Sequence, residues 1–161
     1  MTIDPLLQLL QRKARHSHKE LADILSLTEE QVRDRLAAWE KDGTIVGYQA
    51  VINPVLAGDQ DVSAFIEVKL TPERGGGFDR LATRIARFDQ VTSCYLASGG
   101  YDLMVVVEGG DLRDVARFVS EKLSTMDGVL STATHFRLKA YKENGFLLEE
   151  SDEPERLPVS P

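Results

Sequence analysis

A chain of 161 residues with 42% hydrophobic side chains can bury one ordinary core or two small ones, which excludes disorder throughout. No apolar run approaches the roughly 18 residues of a membrane span, and Asp4 and Pro5 ahead of Leu6 break the basic-then-apolar order of a signal peptide, so a cytoplasmic location is expected. The net charge of −7 is uneven: residues 1–53 carry seven basic and eight acidic side chains, residues 54–144 eleven and thirteen, and residues 145–161 one and five. A single cysteine, Cys94, fits a reducing compartment and forms no internal disulfide.

Residues 1–53 read as a helical domain. Leu6, Leu7, Leu9 and Leu10 give an apolar face from Pro5 to Ala14, with Pro5 suited to a first helical position. Leu21, Ala22, Ile24 and Leu25 predict a second helix over His18 to Ser26. Thr28 with Gln31 three residues on is a capping-box pattern that opens a third helix, in which Val32, Leu36 and Trp39 form the buried stripe until Gly43 ends it. Ile45 to Ile52 reads as a short strand, a wing or connector. The order predicts a winged helix-turn-helix.

Asn53-Pro54 and Gly58-Asp59 mark a linker over residues 54–61. Residues 62–144 then follow another rhythm. Val62, Ala64, Ile66, Val68 and Leu70 alternate with polar residues as a strand. Past Gly75-Gly76-Gly77, read as a flexible loop because no phosphate-binding fingerprint follows it, Phe78, Leu81, Ala82, Ile85 and Phe88 predict a helix. Val91 to Ala97 is a second strand, Gly99-Gly100 a turn, and Leu103 to Glu108 a third strand. Leu112, Val115, Ala116, Val119 and Leu123 mark another helix, and Val129 to Tyr141 the last strand. The order βαββαβ is that of the ferredoxin-like fold, an antiparallel sheet with both helices on one face. Because Leu103 to Val107 is apolar on both sides, the open face needs a second copy against it. The last 17 residues, with their run Glu149 to Glu153, are too polar to offset their own ordering entropy and are expected to be a disordered acidic tail.

With the segments laid out, the chain resembles the leucine-responsive regulator/AsnC, or feast/famine, family of transcription regulators. The resemblance rests on Glu20-Leu21-Ala22, Leu27-Thr28, Val32, Arg35-Leu36, Trp39-Glu40, Gly43-Thr44-Ile45 and Gly47-Tyr48. In the second half it rests on Val91, Cys94-Tyr95, Ser98-Gly99-Gly100-Tyr101-Asp102 and Gly128-Val129 followed by Thr132 and Thr134. It implies a homodimer built through the C-terminal sheets, assembling further to tetramers or octamers, that binds double-stranded DNA. It also implies a small-molecule effector, an amino acid or related metabolite, and no cofactor or catalytic residue.

Thr28, Gln31, Arg33, Arg35 and Lys41 are the candidate DNA contacts, against the alternative of a solvated helix face. The family pattern has adjacent arginines in the third helix; Arg35 matches the second, while Asp34 stands in place of the first and Ala37-Ala38 replaces a frequently basic pair. Ser98, Gly99, Gly100, Tyr101, Asp102, Thr132 and Thr134 are the candidate effector contacts. Backbone N–H groups at the two glycines would face a carboxylate, with Tyr101 and Asp102 holding an ammonium; a plain hairpin turn accounts for the glycines equally well. His16 and His18 lack further ligands and form no metal site. The siroheme decarboxylases share the two-domain layout but use histidines near the second strand, where this chain has Ser93-Cys94-Tyr95. A metabolite-binding or assembly protein of the same fold with weak or no DNA binding is the alternative, favoured by Asp34.

Overall fold

The computed structural model describes residues 3–71 and 78–148. The chain divides after Val51 into two compact units.

The first unit holds α1 (Pro5–Arg12), α2 (His18–Leu25) and α3 (Glu29–Asp42). Their faces meet in a core of Leu6, Leu21, Ala22, Val32 and Leu36, with Leu9, Leu10, Leu25, Leu27, Trp39 and Ile45 packed around it. Asp4 caps α1 by accepting from the Leu6 N–H at 2.8 Å, and the helix stops at Arg12 rather than reaching Ala14. Helix α2 ends at Leu25, not Ser26. Ser26 itself is left-handed, with φ 54°, and the Leu27 N–H closes the turn onto the Ala22 carbonyl at 3.0 Å. That reversal sets the angle between α2 and α3.

The expected strand from Ile45 to Ile52 is not formed: among the described residues no strand pairs with it. Alternating side chains make a strand only where a neighbour supplies hydrogen bonds. Here the segment is fastened by a side chain instead, the Tyr48 hydroxyl donating to Glu40 Oε1 at 2.8 Å. The stretch read as a linker opens with a one-turn helix, α4 (Pro54–Ala57), because Asn53 Oδ1 accepts from the N–H groups of Val55 and Leu56 and Pro54 takes the first helical position.

The second unit continues β1 (Val62–Leu70), α5 (Asp79–Ile85), β2 (Val91–Leu96), β3 (Leu103–Gly109), α6 (Leu112–Arg117) and β4 (Val129–Phe136). The sheet runs β2-β3-β1-β4 with every pair antiparallel. Its inner face, Ala64, Ile66, Val68, Leu70, Leu103, Val105 and Val107, packs on Leu81, Ile85, Val115, Phe118 and Leu123 from the helices. Gly75-Gly76-Gly77 lies outside the described residues.

Past Arg117 the second helix widens into a π-type turn over Phe118–Leu123. Residues five apart therefore share a face, and Phe118 and Leu123 are both buried while Leu112, expected on the apolar face, is exposed. Phe118 meets Phe88 edge to face at 5.3 Å. Strand β4 ends at Phe136 rather than Tyr141, because its partner β1 is last matched at Ala64↔Phe136 and the Arg137 N–H makes the final bond to the Ser63 carbonyl at 2.9 Å.

The expected tail begins with structure. Asn144 and Gly145, both at positive φ, turn a hairpin of β5 (Lys142–Glu143) and β6 (Phe146–Leu147), the geometry that an Asn-Gly pair favours. The run Glu149 to Glu153 lies outside the described residues.

Ile66 sits at the centre of the inner face with none of its surface exposed. Ile66→Ala should lower unfolding stability by about 2–5 kcal/mol in urea titrations, whereas Lys69→Ala, at an exposed position on the same strand, should change it by less than about 0.5 kcal/mol.

Candidate DNA-reading helix and effector turn

Two capping boxes in series position α3, the candidate reading helix. At α2 the Ser17 N–H donates to Glu20 Oε2 at 2.7 Å while the Glu20 N–H donates to Ser17 Oγ at 3.1 Å. Donation from the Ser17 backbone and then from its hydroxyl holds the Glu20 carboxyl below its usual range, with His16 and Lys13 adding to this. At α3 the Thr28 N–H donates to Gln31 Oε1 at 2.9 Å and the Gln31 N–H donates to Thr28 Oγ1 at 3.1 Å.

Thr28 and Gln31 are thus brought together, but each side chain is engaged with the other's backbone. Arg33 lies one turn on, 3.6 Å from Glu30 and 3.6 Å from Asp34. Arg35 turns away from this group and pairs with Asp4, the cap of α1, at 3.4 Å. Lys41 stands in the last turn, about 20 Å along the axis from Thr28 at 1.5 Å per residue, so it does not join the base-facing start of the helix. Glu30 and Asp34, not among the expected contacts, are exposed on that start. The sequence signal was their i,i+4 spacing opposite the Val32/Leu36 stripe.

The second candidate site is the turn between β2 and β3. Gly99 has φ +143°, a conformation that L side chains rarely adopt, and a Cβ at Gly99 or Gly100 would meet nothing within 4 Å. Ser98 is exposed and Tyr101 half-buried. The Ala97 N–H donates to the Asp102 carbonyl at 2.9 Å and closes the turn.

Asp102 does more than turn the chain. Its N–H donates to the Val68 carbonyl at 3.0 Å, and its Oδ2 accepts from the Leu70 N–H at 2.7 Å. The carboxylate therefore extends the β1–β3 ladder beyond its last pair, Val68↔Leu103, beside the register shift at Lys69/Leu70 on the other edge of β1. Thr132 and Thr134 lie opposite Val68 and Ile66 and so point to the helix side with Phe136. Thr132 Oγ1 is 3.1 Å from Ser124 Oγ, a partner that no local pattern announced. Asp102, just ahead of β3, and Thr132, on β4, lie on opposite sides of β1, two strand spacings or about 10 Å apart.

Cys94 is half-buried, its Sγ 3.9 Å from the Ala82 carbonyl, and burial pushes the thiol up, which suits packing rather than nucleophilic chemistry. Among the described residues no group of acidic, histidine or cysteine side chains could hold a metal ion, and no helix is long and apolar enough to cross a membrane.

Comparison with known proteins agrees with both halves. The family model described as winged helix-turn-helix DNA-binding matches residues 6–46, and the one described as the Lrp/AsnC ligand binding domain matches residues 63–147. The chain belongs to the Lrp/AsnC family of transcriptional regulators. To an uncharacterized HTH-type transcriptional regulator of Bacillus subtilis this Lrp/AsnC protein is 45% identical, over 97% of this chain and 95% of the relative. It is 29% identical to the proline dehydrogenase transcriptional activator of Rhizobium radiobacter, over 87% of this chain and 89% of that one. Among solved structures, a Neisseria meningitidis transcriptional regulator in complex with L-Met superposes with TM-score 0.68 at 25% identity, covering 88% of this chain and 94% of that one. Escherichia coli AsnC shares the fold at TM-score 0.65, with 89% of this chain and 97% of that one covered. The matched Lrp/AsnC proteins are transcriptional regulators, not enzymes.

Two outcomes follow from this geometry. Asp102→Ala leaves the buried Leu70 N–H without an acceptor and should cost about 1–3 kcal/mol in urea unfolding, while Asp102→Asn keeps an acceptor oxygen and should lose less. The Glu20 carboxyl is held below the 4.5 of an unperturbed glutamate, so its contribution to the helical unit is complete above that pH and is lost as pH falls through the folded value. Helical circular dichroism of Glu20→Gln should therefore depend less on pH below 4.5 than that of the parent protein.

Proposed function

We propose that this protein is a metabolite-responsive, sequence-specific DNA-binding regulator that works in the cytoplasm as a homodimer or a higher assembly of dimers. The observation that carries the reading is the union, in one chain, of an exposed, doubly capped recognition helix and a ligand-binding domain of the Lrp/AsnC type.

The outer sheet face supports the dimer. It presents Phe65 and Tyr95, 39% and 60% exposed, beside Met104 and Val106, an apolar patch bordered by the Glu67–His135 pair that a second copy would cover. Pairing through that face sets two recognition helices on one duplex, with Thr28, Gln31, Arg33, Arg35 and Lys41 as the proposed DNA contacts. Arg33 would face the bases and Lys41 a phosphate, while Arg35, Thr28 and Gln31 would hold the helix in place and offer their remaining donors to the DNA backbone.

The effector is an amino acid. Its carboxylate would meet the N–H groups of Gly99 and Gly100, and its ammonium the Asp102 oxygen that Leu70 leaves free, beside Ser98 and Tyr101. Thr132 and Thr134 would shape the side-chain end. The L-Met bound by the Neisseria relative is a ligand of the same class.

The test is a titration of the full-length protein with duplexes from upstream of its own gene, at about 50 and 150 mM salt, with and without amino acids. Saturable binding is expected, and Lys41→Ala should weaken it across all sequences. In a thermal-shift screen one amino acid should raise the melting temperature, corresponding to about 2.7 kcal/mol at a hundred times its Kd, and Asp102→Asn should abolish that rise while the protein stays folded. Absence of saturable binding under every condition, or a monomer at micromolar concentration, sinks the reading.

A further inference from the structure

The outward side of α3 carries charges of the wrong sign for phosphate. Val32 and Leu36 are buried against α1 and α2, which turns Glu30 and Asp34 outward on successive turns, 77% and 69% exposed. Arg33 stands between them, 60% exposed, its guanidinium 3.6 Å from Glu30 Oε1 and 3.6 Å from Asp34 Oδ1. Thr28 Oγ1 and Gln31 Oε1 are engaged in the capping box, which leaves Gln31 without a free acceptor-donor pair for adenine. Glu30 and Asp34 thus stand on either side of the Arg33 guanidinium on the outward side of the first two turns.

Against a phosphate backbone these carboxylates only repel. Against base edges their best match is cytosine: a carboxylate accepts from the cytosine amino group, whereas at adenine the N7 lone pair beside the amino group repels it, and a guanidinium donates to O6 and N7 of guanine. Cytosine N4 and guanine O6 lie side by side on the major-groove edge of one base pair, as the Glu30 carboxylate and the Arg33 guanidinium lie side by side on the helix. We propose that Glu30 and Arg33 together read a C·G base pair in each half-site, with Glu30 the specificity-determining residue and Asp34 steadying Arg33 from the other side. The inference rests on the DNA-binding reading above. It gives the acidic residues of α3 a positive role in place of an unexplained penalty.

The experiment enriches duplexes from a random pool with the full-length wild-type protein, Glu30→Gln and Glu30→Ala, each checked for native circular dichroism. Glu30 is exposed and outside the helical core, so the variants keep the fold. The wild-type pool should fix a C·G pair at one position of each half-site. Glu30→Gln should replace it with A·T, because an amide pairs with adenine N6 and N7, and Glu30→Ala should lose the preference without gaining another. Affinity of either variant for the wild-type site, relative to the pool average, should fall about 5- to 150-fold. Identical motifs from wild type and Glu30→Gln overturn the inference and leave DNA binding standing; failure of the wild type to enrich any duplex overturns both.

Discussion

The alternation of side chains along β1 constrains the rest of the C-terminal unit. This strand is hydrogen-bonded to β3 on one side and β4 on the other, and its inward residues Ala64, Ile66, Val68 and Leu70 are buried. A period of two leaves no choice for what lies between them. The register that buries Ile66 turns Phe65 outward, and the facing register of β3 does the same to Met104 and Val106 while Leu103, Val105 and Val107 go in. Among the described residues of this unit the helices pack on the inner face of the sheet. Strand alternation thus places Phe65, Met104 and Val106 on the outer face, beside the Glu67–His135 pair, and the proposed assembly would cover them.

In the N-terminal unit the controlling interactions are short and polar. Each of α2 and α3 begins where a hydroxyl and a carboxyl or amide exchange bonds with backbone N–H groups that the helix leaves unpaired. Between them Ser26 takes a left-handed conformation that glycine would adopt at less cost. The same economy that fixes the start of α3 engages the Thr28 hydroxyl and the Gln31 amide oxygen. In the proposed reading of DNA the Glu30, Arg33 and Asp34 group would take the base-facing part, and its pairing keeps a long arginine from sampling all its rotamers.

Much of this was legible in sequence because it is local. The Thr28/Gln31 box, Gly43 as the stop of α3, the β1 alternation and the βαββαβ order all depend on residues a few positions apart. What sequence could not show depends on partners far along the chain. Asp102 reaches Leu70 across 32 residues and Arg35 reaches Asp4 across 31, and no periodicity links either pair. Phe118 was overlooked because the pattern assumed 3.6 residues per turn through a segment that winds more widely. Asn144-Gly145 is a different failure: the hairpin signal was present, but composition averaged over an acidic tail concealed it.

Charge connects the two units. The N-terminal 53 residues carry seven basic against eight acidic side chains, so a single module gains little from the counterion release that drives ordinary DNA binding. In the proposed regulator that weakness is what makes assembly an effective control. If one reader bound tightly alone, joining a second would add little to occupancy under cellular conditions. When each reader is weak, a second on the same frame acts at high effective concentration and raises avidity by orders of magnitude. An effector that alters how dimers associate, through a turn braced by Asp102 against β1, then changes DNA occupancy without touching the reading helix.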